Sequence, residues 1–310
     1  MPRICDFNSS GKTIATSTTV TFTSADIPGS NIVAYHVAMT GAGNTFNAID
    51  RIRVKANGVT IYEITSGLFR SFVQRFTNGR VGYPANQAVP PPPGAAGTAV
   101  DWRRFTIPFC FLDREKSEEA DVCQFPVGTQ PTVEVVFNAN AVAGSAFIGW
   151  TESDVTPRCW PKLYSSQANI PASQSNGRYI FSEDGVIRGL GFETTGLARA
   201  RAVLNGRQVY HMKGQPANST TVTEDDLILE SEMLAGGRAY SGLAGTAFSD
   251  NSIVDPAWIK VTAGEDGTPG RTYFEAETTA AWVGVTSELG IYAIVPYGEQ
   301  SFAQTIRNPR

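Results

Sequence analysis

The residues able to do chemistry in this chain are few and scattered. Gly11-Lys12-Thr13 has the ending of a phosphate-binding loop, but Asp6 stands where that loop's first glycine belongs, and the flanks alternate threonine with apolar residues. Such a loop needs a strand before it and a helix after it, so phosphate binding is set aside. Only two histidines occur. His36 lies in the apolar run Ile32-Val33-Ala34-Tyr35-His36-Val37, and His211 follows Tyr210 in a hairpin arm, so both read as structural. Cys5, Cys110, Cys123 and Cys159 form no C-x-x-C pair, which excludes a zinc site and leaves four reduced, buried thiols. No local Ser-His-Asp or Cys-His grouping appears. The expectation is a protein without catalytic residues and without a cofactor.

Carboxylates cluster at Asp113, Glu115, Glu118, Glu119 and Asp121, and again at Glu224, Asp225 and Asp226. Either cluster offers oxygens to a structural calcium ion, but neither has the spacing of a calcium loop. The first reads as a solvated turn and the second as the negative first turn of a helix, leaving the metal question open. Asn8-Ser9-Ser10 and Asn218-Ser219-Thr220 match the glycosylation pattern, which means little without a secretion signal. The tryptophans Trp102, Trp160 and Trp258 would serve a sugar-binding surface if exposed, and a core or subunit contact if not.

Composition narrows the field further. The chain has 310 residues, 42% of them hydrophobic, and a net charge of −4. Its Lys and Arg are evenly scattered, with no basic stripe for a phosphate backbone, so direct nucleic-acid binding is not expected. No apolar run reaches the ~20 residues of a membrane span, and the N-terminus lacks the apolar core of a signal peptide, so synthesis in a cytoplasm is expected.

The elements that must position these residues are strands. Val20 and Phe22 alternate with threonines; Ile52 and Val54 alternate with Arg51, Arg53 and Lys55; Val133, Val135 and Phe137 alternate with Glu134 and Val136. Thr272, Phe274 and Ala276 do the same with Tyr273, Glu275 and Glu277. This period of two describes half-buried strands of antiparallel sheets. Short helices are expected over Ser66 to Phe76 and from a capping box at Thr221-Val222-Thr223-Glu224 through Met233. The run Pro90-Pro91-Pro92-Pro93-Gly94 marks a stiff surface loop within residues 77–99.

The chain also repeats itself. Ile49 to Tyr62 returns as Leu197 to Tyr210, with both arginines, the Asn-Gly and the Tyr in place; 148 residues separate Asn57 from Asn205. In each half the Asn-Gly suits a type I′ hairpin turn. A second echo sets Ala146-Phe147-Ile148-Gly149-Trp150-Thr151 against Ala281-Trp282-Val283-Gly284-Val285-Thr286. Two similar domains in tandem follow, residues 1–165 and 166–310, joined by a proline-punctuated connection between Asp154 and Gly177.

Two tandem β-rich domains, each with a hairpin, then a helix and long loop, then further strands, resemble the double jelly-roll major capsid proteins of tailless, icosahedral, membrane-containing bacterial viruses of the corticovirus and tectivirus type. The resemblance is strongest over Ile49 to Ile64, Trp102-Arg103-Arg104-Phe105-Thr106-Ile107-Pro108-Phe109, and Leu197 to Met212. It implies an all-β chain of two jelly-roll β-sandwiches with short helices in the loops. It also implies no enzyme, and a pseudo-hexagonal homotrimer that tiles a virion shell over an internal membrane, beside other capsid components such as a vertex protein. A carbohydrate-binding or adhesive β-sandwich is the alternative reading.

Overall fold

The computed structural model describes residues 3–5, 10–41, 43–44, 46–66, 68–69, 102–109, 125, 128–152, 159–169, 176–180, 186–193, 197–204, 207–213, 257–266, 273–278 and 286–296. The chain divides into two compact units, Met1–Tyr164 with Ile294–Arg310, and Ser165–Ala293. Its strands are β1 (Arg3–Cys5), β2 (Lys12–Ile14), β3 (Thr19–Phe22), β4 (Ile32–Thr40), β5 (Ile49–Ala56), β6 (Val59–Thr65), β7 (Trp102–Pro108), β8 (Pro131–Phe137) and β9 (Gly144–Glu152). They continue as β10 (Cys159–Asn169), β11 (Asn176–Ile180), β12 (Val186–Glu193), β13 (Leu197–Leu204), β14 (Arg207–Lys213), β15 (Ala257–Asp266), β16 (Tyr273–Thr278) and β17 (Thr286–Pro296).

In the first unit, one sheet runs β1-β9-β4-β7 with β2 also on β9, and strands β10-β6-β5-β8-β3 neighbour one another in the other. The alternation seen in the sequence sets the inner faces. Val20 and Phe22 of β3, Ile52 and Val54 of β5, and Val133, Val135 and Phe137 of β8 are all buried. Tyr35, Val37, Phe105, Ile107 and Ile148 are buried from the other sheet. β4 departs from the expected half-buried pattern: only His36 and Thr40 of its nine residues escape full burial. That is why its sequence is nearly continuous in apolar residues.

The two halves carry the same sheet. β5 and β6 pair as Arg51↔Thr65, Ile52↔Ile64, Arg53↔Glu63 and Val54↔Tyr62, shift at a bulge, and resume as Lys55↔Thr60 and Ala56↔Val59. β13 and β14 pair as Arg199↔Lys213, Ala200↔Met212, Arg201↔His211 and Ala202↔Tyr210, shift at a bulge, and resume as Val203↔Gln208 and Leu204↔Arg207. Every residue of the second set lies 148 positions after its counterpart, bulge included. β5 then pairs with β8 as β13 pairs with β16, each with a bulge at its start; Val136 corresponds to Glu277, and Glu134 to Glu275. β3 against β8 matches β11 against β16, with Thr21↔Glu134 answered by Arg178↔Glu275. A one-residue slip would turn every side chain to the other face, so three matching ladders amount to one sheet built twice. The orders β6-β5-β8-β3 and β14-β13-β16-β11 agree, and β15-β12-β17 in the second unit answers β7-β4-β9 in the first.

The first hairpin turn has the expected conformation, with φ of 50° at Asn57 and 82° at Gly58. Gln130 clasps it: the Asn57 N–H donates to the Gln130 carbonyl (2.9 Å), and the Gln130 N–H donates to Asn57 Oδ1 (2.7 Å). Nothing stands within 4 Å of where a Gly58 Cβ would be, so a substitution there meets only backbone strain. Gly58→Val is expected to cost about 1–2 kcal/mol in thermal melts, because a β-branched residue resists positive φ. Gly58→Asn should lose much less; equal melting of the Val variant and the parent would contradict the turn assignment. Asn205 and Gly206 lie outside the described residues.

Several expectations meet differences. Within the presumed proline-punctuated connection, residues 159–169 form β10, which lies parallel to β6 through Leu163↔Tyr62 and Tyr164↔Glu63. Burial of Trp160 and Leu163 outweighs the N–H that Pro161 lacks, and the parallel pairing departs from the antiparallel ladders described above. Of the second echo, residues 281–285, Gly284 among them, lie outside the described residues. Ser66, Leu68 and Phe69 are helical, with Leu68 and Phe69 buried. The rest of that helix, residues 221–233 and the loop 77–99 lie outside the described residues.

Candidate functional site

The repeated sheet turns a charged face outward in the first unit. Because β5 alternates, Arg51, Arg53 and Lys55 share one face, and the pairings above bring Glu63 and Glu134 beside them from either side. Glu63 Oε1 accepts from Arg53 Nε (2.9 Å) and Arg51 Nη1 (3.3 Å). Glu134 is reached by Lys55 and, at 3.8 Å, by Arg53 Nη1. The five side chains form one ladder of alternating charge across three strands. Its members are partly exposed, Glu134 least at 14%, so each pair contributes only about 0.2–1 kcal/mol; what the ladder fixes is register and surface charge.

In the second unit the same register positions are filled differently. Arg199 and Arg201 stand where Arg51 and Arg53 do, and Glu275 where Glu134 does, but His211 replaces Glu63, Val203 replaces Lys55 and Lys213 replaces Thr65.

The residues singled out from the sequence are put to structural use. His36 Nδ1 lies 2.9 Å from Thr106 Oγ1 and Nε2 lies 2.7 Å from Thr151 Oγ1, so both ring nitrogens are engaged by hydroxyls from the neighbouring strands. Gly11-Lys12-Thr13 runs into the strand β2, and the Lys12 ammonium sits 3.1 Å from Asp26. Burial pushes the Asp26 carboxyl up, but the Thr23 N–H and the Lys12 ammonium outweigh it and hold the group below the usual aspartate value. Trp160 is a core residue, 4% exposed, with its ring centroid 6.0 Å from that of Phe125. Cys5, Cys159, Trp102, Trp258 and His211 lie in strands. Cys110, Cys123, both carboxylate clusters, the acceptor Asn8 and the pattern Asn218-Ser219-Thr220 fall outside the described residues. Among the described residues, no group of three or more His, Cys, Asp or Glu could hold a metal ion.

One residue escaped the sequence reading. Asn44 is fully buried; its Nδ2 donates to the carbonyls of Thr40 (2.7 Å) and Val142 (3.0 Å), and its Oδ1 accepts from the Val142 N–H (2.9 Å). It fastens the turn after β4 to the turn before β9.

No protein-family model matches the sequence, and comparison with curated proteins returns no match. Solved structures do match. The major capsid protein P2 of bacteriophage PM2 is similar over 96% of this chain and 99% of its own, with 10% identity and a TM-score of 0.59. The major capsid protein of STIV is similar over 97% and 98%, with 13% identity and a TM-score of 0.62. VP54 of PBCV-1 is similar over 95% and 94%, with 9% identity and a TM-score of 0.54. These likenesses run end to end, and the first two of these chains are viral major capsid proteins. A sheet built twice in matching register, in a chain matched along its whole length by these structures, gives this protein the double jelly-roll fold of viral major capsid proteins.

Proposed function

We propose that the protein is the major capsid protein of a tailless, icosahedral virus with an internal membrane, of the corticovirus and tectivirus type, and that it forms pseudo-hexagonal homotrimers that tile the shell. The observation that carries this is the duplicated sheet, with the same strand order, register and bulges in both units. Two like units per chain give a trimer six like sectors, which lets one building block occupy near-hexagonal sites in a closed shell. Its place is then the virion shell, beside neighbouring trimers and a vertex protein. The net charge of −4 fits a shell separated from the genome by lipid, with no direct nucleic-acid contact. A structural rather than catalytic role fits a chain whose His36 is held on both nitrogens by threonine hydroxyls.

Native mass spectrometry and light scattering test this directly. A homotrimer is expected at micromolar concentration, held by interfaces of on the order of 2,000 Å² or more, with hexagonal outlines in electron micrographs. A stable monomer in every salt and calcium condition would overturn the proposal and favour the carbohydrate-binding reading.

A further inference from the structure

The two copies of the sheet differ at one edge. In the first unit, β6 has β5 on one side and β10 on the other, laid parallel at Tyr62 and Glu63. The counterparts of those residues are Tyr210 and His211 in β14. Among the described residues, β14 has β13 on one side and no strand on the other, so it ends its four-stranded sheet. A terminal strand presents a row of backbone N–H and C=O groups to whatever extended segment can lie against it.

Charge says which segment that can be. From Ile49 to Thr65 the first hairpin carries Arg51, Arg53 and Lys55 against Asp50 and Glu63. From Leu197 to Lys213 the second carries Arg199, Arg201, Arg207 and Lys213, with His211, and no carboxylate of its own; Arg199 and Arg201 stand opposite Glu277 and Glu275 of β16, whereas Arg207 and Lys213, both on β14, face no carboxylate in the described ladders. A chain of net charge −4 with +4 on this hairpin holds −8 elsewhere. Two such edges repel one another, which bars β14 from pairing with another β14, whereas carboxylates on an incoming strand would stand opposite cations.

We propose that the edge of β14 receives an extended, carboxylate-bearing segment of a second copy of this chain, laid parallel to β14 as β10 is laid on β6. This rests on the reading that the protein assembles with itself. It makes β14 a subunit contact whose strength depends on salt, and it explains why the ladder's Glu63 is exchanged for His211: a carboxylate there would neutralise the cations that the incoming strand meets.

The test pairs a charge reversal with hydrogen exchange on the wild-type protein. Arg207→Glu with Lys213→Glu is expected to weaken self-association at least tenfold in 0.1 M salt by sedimentation, while Arg207→Lys with Lys213→Arg retains it. Amides of residues 207–213 should exchange slowly in the assembled wild type and rapidly once it is dissociated by dilution. A reversed variant that assembles like wild type would overturn the proposal, as would equally slow exchange after dissociation, which means that the same chain covers the edge. Trimers that persist unchanged in the variant sink this inference alone; a wild-type monomer sinks the capsid reading with it.

Discussion

Phe109→Ala is expected to lower the stability of the first unit by about 3–5 kcal/mol, the cost of truncating a fully buried aromatic residue whose site cannot collapse. The ring lies among three others, with centroids 5.4 Å from Tyr35, 5.5 Å from Tyr62 and 4.7 Å from Phe125. Two of those neighbours cannot move in to fill the space. The Tyr35 hydroxyl donates to the Pro28 carbonyl (2.8 Å), and the Tyr62 hydroxyl donates to the Pro108 carbonyl (2.7 Å). Burial pushes the Tyr35 hydroxyl well above the ordinary tyrosine pKa, so it stays a donor. Phe109→Leu keeps most of the volume and should cost less than half as much. Guanidinium unfolding followed by tryptophan fluorescence gives both values. An Ala variant with an unchanged midpoint would mean that this cluster is not packed as described.

Asn44→Leu is expected to cost about 3 kcal/mol, the low end for three lost hydrogen bonds, because the backbone groups it leaves unpaired are part-buried. The carbonyls of Thr40 and Val142 and the N–H of Val142 lose their partner, at about 1–3 kcal/mol for each group left unpaired. At the Thr40 carbonyl there is little room for water to replace it. Gly144 passes so close that a Cβ there would lie 2.3 Å from the Thr40 carbonyl oxygen and 2.9 Å from Asn44 Nδ2. Asn44→Asp should be no better, since it supplies an acceptor where two carbonyls need a donor. The Val142 amide should exchange with solvent faster in both variants; unchanged protection there would show that the side chain does not hold this turn.

The sequence made the hairpins legible because everything that defines them is local: alternation, Asn-Gly, and the arginines two residues apart. The two-residue turn also sets the pairs beside it, Ala56 opposite Val59 and Lys55 opposite Thr60, but not the bulge that brings Arg53 opposite Glu63. Glu134 could not be found that way. It joins Arg53 and Lys55 only because β8, some 80 residues later in the chain, pairs with β5 in one register. Asn44 was hidden for the same reason, one asparagine among many until Val142 is brought to it across 98 residues. β10 was masked by Pro161 and its polar neighbours, since burial of Trp160 and Leu163 outweighs what the local residues suggest.

A sheet built twice in one register also has a consequence for how the chain reaches its native state. While the polypeptide is unfolded, β16 offers β5 the same register and bulge as β8 does, and β8 offers β13 the same in return. Emergence from the ribosome sorts the two: residues 131–137 are available to β5 well before residues 197–204 have been made. A chain diluted from denaturant has no such order. The duplication thus makes the direction of the chain's own synthesis part of the information that folds it.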